Sequence, residues 1–89
     1  MAIKSIESIT DDIEKYPTRN YVGFRFRGRL VGYVYPHRKS FDVGAPVLDE
    51  RGRVAGEDAF IRVEEPETDI SDILEKIRRN YEILNKKRQ

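Results

Sequence analysis

A chain of 89 residues, 38% hydrophobic and 37% charged, has material for one small core and one domain spanning 1–89. It contains no Cys, which excludes a disulfide framework, cysteine zinc sites and thiol catalysis. Its net charge of +1 conceals segregation: residues 1–18 carry two basic and four acidic groups, 19–39 six basic and none acidic, 40–75 three basic and eleven acidic, and 76–89 six basic and one acidic.

Ser5 to Tyr16 predicts a helix over 5–16, because Ile6, Ile9, Ile13 and Tyr16 line one helical face. Pro17 ends it, since the residue before a proline disfavours the helical region. Tyr21 to Tyr35, YVGFRFRGRLVGYVY, then predicts a hairpin over 21–35 with Gly28 at a primed turn. With a two-residue loop, one face holds Val22, Phe24 and Phe26 with Val31, Tyr33 and Tyr35. The opposite face holds Gly23, Arg25 and Arg27 with Leu30, Gly32 and Val34. The first set is the more apolar, so helices are expected to cover it, while a three-residue loop with a bulge would break this parity.

Pro36 closes the second strand, and His37-Arg38-Lys39 forms a basic turn. Further strands are predicted near 40–43, 53–55 and 59–63, the last with Ala59, Ile61 and Val63 inward. A helix over 69–85 follows, capped by Thr68 or Asp69, with Ile70, Ile73, Leu74, Ile77, Tyr81 and Leu84 as its apolar stripe. Acidic residues at its start and Arg78, Arg79, Lys86, Lys87 and Arg88 towards its end follow the order the helix dipole favours. The expected fold is α+β: an antiparallel sheet of about four to five strands with an N-terminal and a C-terminal helix on one face.

From Asn20 to Leu84, the runs NYVGFRFRGRLVGYVYPHRKSFDV, DERGR and DAFIRVEEPETDISDILEKIRRNYEIL resemble a family of uncharacterised domains filed as "predicted transport protein". The landmarks are the aromatic hairpin, the basic turn after a proline, and the closing strand and helix. More distantly the chain is similar to MmcQ/YjbR-like domains. The resemblance implies an accessory domain, since members occur alone or attached to nuclease- and methylase-like proteins. Relatives often carry a Trp-Gly element before the last strand, and this chain has no Trp.

No pattern names a reaction. His37 is the only histidine and lacks companions at metal-ligand spacing, so it reads as an exposed turn residue. The acidic pairs Asp11-Asp12, Asp49-Glu50, Glu57-Asp58 and Glu64-Glu65 read as solvated faces, and no phosphate-cradling glycine loop is present. No catalytic residue, metal or cofactor is expected.

The feature above background is the basic hairpin. Arg25 and Arg27 are expected on the uncovered face, with Arg19, Arg29, Arg38 and Lys39 at its rims and Gly23 and Gly32 leaving the surface low between them. These six residues form the candidate binding set for phosphate or an acidic partner. No run approaches the roughly 18 apolar residues of a membrane span, and the N-terminus lacks a signal-peptide core, so the chain reads as cytoplasmic with no membrane partner. The expected function is that of a binding module acting through a protein partner or self-association. The alternative is direct contact with the backbone of a nucleic acid.

Overall fold

The structure is a computed structural model that describes residues 2–86; the predicted basic residues Lys87 and Arg88 lie outside that range. In chain order the elements are α1 (Ala2–Glu7), β1 (Glu14–Pro17), β2 (Val22–Phe26), β3 (Arg29–Pro36), β4 (Phe41–Ala45), β5 (Ala59–Val63) and α2 (Ser71–Lys86). The strands form one five-stranded antiparallel meander in the order β1-β2-β3-β4-β5. This is the expected α+β fold, with a helix near each end of the chain.

The predicted helix 5–16 is corrected. Helix α1 stops at Glu7, and 14–17 is the first edge strand, paired with β2. The cause is local. The Ser8 hydroxyl donates to the Ser5 carbonyl, and the Thr10 hydroxyl accepts from the Asp12 amide. Such side chains offer the backbone partners other than helix bonds. Ile6 and Ile13 still both reach the core, from a helix and from a strand entry. The predicted strand 53–55 is likewise reduced to one isolated bridge, Leu48 to Val54. Asp49 folds this loop tightly instead, its carboxylate accepting from the Arg51 and Arg53 amides.

The β2–β3 hairpin closes through Arg27-Gly28, both with positive φ (53° and 79°), which is the primed turn matching strand twist. The left-handed region costs an ordinary residue about 1 kcal/mol. The Arg27 guanidinium lies over the Phe26 ring, 4.4 Å from its centroid, and such a contact returns roughly 0.5–1 kcal/mol.

Four residues on, the expected parity fails. Arg25 pairs with Leu30 but Phe24 pairs with Gly32, so Val31 is an extra residue on β3. This β-bulge exchanges the two faces of β3 beyond it. Val34 and Gly32 turn to the helix side, and Tyr33 and Tyr35, expected in the core, turn to the open side. The core-facing row across the strands is Val22, Val34, Val43 and Ile61.

Helix α2 lies on this side with Ile73, Ile77 and Leu84 buried. It starts at Ser71, and Asp69 stabilises that start by accepting from the Ser71 amide and hydroxyl. Gly32 is where helix and sheet come closest: an added Cβ would lie 2.7 Å from Ile77 Cδ1. The Asn80 side chain, 1% exposed, donates to the Val31 carbonyl (3.1 Å) and the Pro46 carbonyl (2.7 Å). It thus satisfies the carbonyl of the bulge residue and ties it to the exit of β4.

Candidate functional site

The sheet side without helices is where the residues with most to offer a ligand collect. Strand register defines its rows. One row crosses all five strands as Tyr16, Gly23, Tyr33, Gly44 and Phe60, alternating ring and glycine. Glycine gives an adjacent ring a place to lie on the backbone. At Gly44 an added Cβ would collide with the Tyr33 ring, and at Gly23 it would come 3.3 Å from Tyr21 Cε2 and Leu30 Cδ1. A second row holds Tyr35, Asp42 and Arg62. Tyr21 links the two, stacked on Tyr35 at 6.3 Å and edge-on to Tyr33 at 6.5 Å. Tyr16, Tyr35 and Phe60 remain 48%, 40% and 55% exposed.

Asp42, Asp58 and Arg62 on this face are engaged within it. The Asp42 carboxylate accepts from Arg62 Nε at 2.9 Å and lies 2.8 Å from His37 Nε2. The Arg62 hydrogen bond, assisted by His37 and opposed by desolvation, holds the Asp42 carboxyl below the ordinary carboxylate range; the same bond raises the Arg62 guanidinium. Tyr33 Oη donates to Asp58 Oδ2 at 3.3 Å. Burial first, then the Asp58 charge, pushes the Tyr33 phenol up to about 12. His37 therefore belongs to a hydrogen-bonded cluster that ties the β3–β4 turn to β5. Among the described residues, no group of three or more His, Asp or Glu side chains could hold a metal ion.

The six predicted binding residues do not converge. Arg25 alone among the hairpin arginines lies on the open face, its guanidinium 4.1 Å from the Tyr16 ring centroid and its Nε buried without a hydrogen-bond partner. Arg27 is at the hairpin tip over Phe26, a core ring. Arg29 pairs with Phe26 and donates through Nη2 to the Gly52 carbonyl, holding the β4–β5 loop. Arg19 is in the β1–β2 turn, and Arg38 and Lys39 are in the β3–β4 turn. In a meander those two turns fall at the sheet end opposite the hairpin tip.

Arg38 and Lys39 also line an open cleft of about 870 Å³, whose lining includes Glu64, Glu65 and Phe41. The expected low surface between arginines is also corrected. Gly32 faces Ile77 on the helix side, and Gly23 is covered by Tyr21 and Leu30.

Sequence reasoning missed the ring-glycine row because the Val31 bulge hides it. The signal that could have found it is the count of aromatics, nine in 89 residues, too many for one thin core. No helix among the described residues is long and apolar enough to cross a membrane. No protein-family model, no curated protein and no solved structure matches this chain.

Proposed function

We propose that this chain is a non-catalytic binding module that takes a protein partner on its open sheet face. The observation carrying the proposal is the row Tyr16-Gly23-Tyr33-Gly44-Phe60, flanked by Tyr21 and Tyr35. Tyr, Phe and Arg are the residues that protein interfaces concentrate, because they supply large rigid area at low entropic cost. Asp42 is already paired with Arg62 and His37, and Asp58 with Tyr33, so a partner covering them leaves neither carboxylate newly unmatched. Association with nucleic-acid-processing enzymes enters this reading only through the family resemblance.

The test is photo-crosslinking in cells with a benzophenone side chain at position 35 and, as control, at the exposed helix position Glu75. Discrete protein adducts at 35 but not at 75 are expected. Phe60→Ala in the same chain should reduce them about tenfold or more, the effect of losing a hot-spot ring. Adducts equal at both positions would sink the proposal.

A second reading, single-stranded nucleic acid stacked on the same rings, is favoured by the exposure of Tyr35 beside Tyr21 and by Arg25 over the Tyr16 ring of the same face. Against it stand the divergence of the hairpin arginines and the carboxylates Glu14, Asp42 and Asp58 on this face. It requires nuclease-sensitive adducts at position 35 and oligonucleotide affinity that falls steeply with salt.

A further inference from the structure

The two edges of the sheet are not alike. Edge strand β1 is four residues, all exposed, with Glu14 and Lys15 followed by Pro17 at its end. Short, charged, proline-ended strands are how sheets discourage pairing with other chains. Edge strand β5, AFIRV, is five residues with no proline; Ala59, Ile61 and Val63 point to the helix side, and Phe60 and Arg62 to the open side. Among the described residues its outer edge carries no strand, since the sheet order ends at β5.

We infer that β5 pairs antiparallel with β5 of a second copy about a two-fold axis at Ile61, joining two sheets into one of ten strands. Side-chain parity permits only registers that place like-facing residues opposite one another. The register centred on Ile61 alone overlaps all five residues. It sets Ala59 against Val63 and Ile61 against Ile61 on the helix side, both apolar pairs. On the open side it sets Phe60 of each copy against Arg62 of the other.

That last pair is chemically matched. Arg62 directs its Nε and Nη2 in the guanidinium plane to Asp42 (2.9 and 3.4 Å), and its side chain is still 52% exposed. A guanidinium so held leaves a face for a ring, and Phe60 is 55% exposed. A shift of two residues one way would set Arg62 against Arg62, which repel. A shift of two in either direction also shortens the strand overlap to three residues. The two-fold closes the assembly and would run the ring-glycine row of one copy into the Tyr35-Asp42-Arg62 row of the other. This inference shares Phe60 with the sheet-face row but rests on the edge of β5, and Tyr35→Ala separates it from the proposal of a partner on that face.

The chain has no Cys, so single cysteines in the full chain report register without background. Opposed residues on a two-fold lie within disulfide reach. Under mild oxidation, Ile61→Cys should form covalent dimer at least about tenfold faster than Phe60→Cys or the exposed control Glu75→Cys, since only position 61 meets itself. Sedimentation of the unmodified chain at concentrations up to about 1 mM should show reversible dimer, a range suited to small transient interfaces.

Phe60→Arg sets Arg against Arg twice and should weaken the dimer by about tenfold, while Phe60→Glu, now opposite Arg62, should stay within about threefold of the parent. Tyr35→Ala should leave it unchanged. A monomer at every concentration overturns the inference. So does faster linkage at 60 than at 61, equal loss with Glu and Arg at position 60, or a dimer abolished by Tyr35→Ala, which would belong to the sheet face.

Discussion

Tyr33 occupies the space that a side chain at position 44 would need, and from there its hydroxyl reaches Asp58. Burial and a neighbouring carboxylate both disfavour the phenolate, so the group titrates late, at about 12 against the usual 10.0. A pKa raised on folding gives stability that is full below pH 10 and is lost as pH rises through 12. A spectrophotometric titration of the five tyrosines should therefore show one late phase, absent in Tyr33→Phe. Gly44→Ala should remove that phase too while folding normally, because the atoms in its way are the mobile end of Tyr33. If the phase survives Tyr33→Phe, Tyr33 is not held as described.

Asn80 is the opposite kind of residue, a polar group with no freedom to move. It is the single buried polar side chain among the described residues, and its amide meets one carbonyl in β3 and one just past the end of β4. Asn80→Leu keeps the volume and strands both carbonyls in the core, at a cost of about 2–3 kcal/mol. Chemical denaturation measures this directly. A loss below about 0.5 kcal/mol would mean that the bulge does not depend on this bridge.

At the scale of elements, Gly32 decides how closely α2 lies on the sheet. A methyl there meets Ile77 Cδ1 at 2.7 Å and Cγ1 at 2.8 Å, and Ile77 is fully buried, so neither atom can swing away. Gly32→Ala should cost about 1–3 kcal/mol by overpacking. Adding Ile77→Val, which removes Cδ1, should recover part of that cost in a double-mutant cycle. Simple additivity would show that α2 can shift to make room.

These same contacts show what was legible beforehand. The closing helix was readable because Ile73, Ile77 and Leu84 repeat with helical period over sixteen residues and no local signal opposes it. The last strand was readable from the alternation of Ala59, Ile61 and Val63. At the N-terminus the isoleucine spacing satisfies a helix equally well. The hydroxyls of Ser8 and Thr10 decided between helix and turn, and the backbone of β2 supplied a partner that no local pattern encodes. The open face was misread for one reason, the extra residue Val31. A bulge is stabilised from outside its own strand, here by Asn80 some fifty positions away, so the hairpin sequence alone does not contain it.

At the scale of the whole molecule, three carboxylates tie the second half of the chain together. Asp42 joins the β3–β4 turn to β5 through His37 and Arg62. Asp49 folds the loop between β4 and β5 through the Arg51 and Arg53 amides. Asp69 sets the start of α2 through Ser71. Each is held below its ordinary pKa of 3.8, with hydrogen bonding as the largest cause. A pKa lowered on folding gives stability that is present above 3.8 and is lost as pH falls through the lower folded value.

The β2–β3 hairpin, by contrast, contains no carboxylate at all. Acid should therefore loosen this protein from its C-terminal half. Below pH 4, hydrogen exchange should rise first at residues 48–54 and 69–74, while β2 and β3 stay protected. Asp42→Asn should be less stable than the parent at pH 7 and should approach it as the pH falls through the lowered pKa of the parent carboxyl, where the parent protonates as well. A difference unchanged down to the acid transition would mean that Asp42 acts through its shape and not its charge.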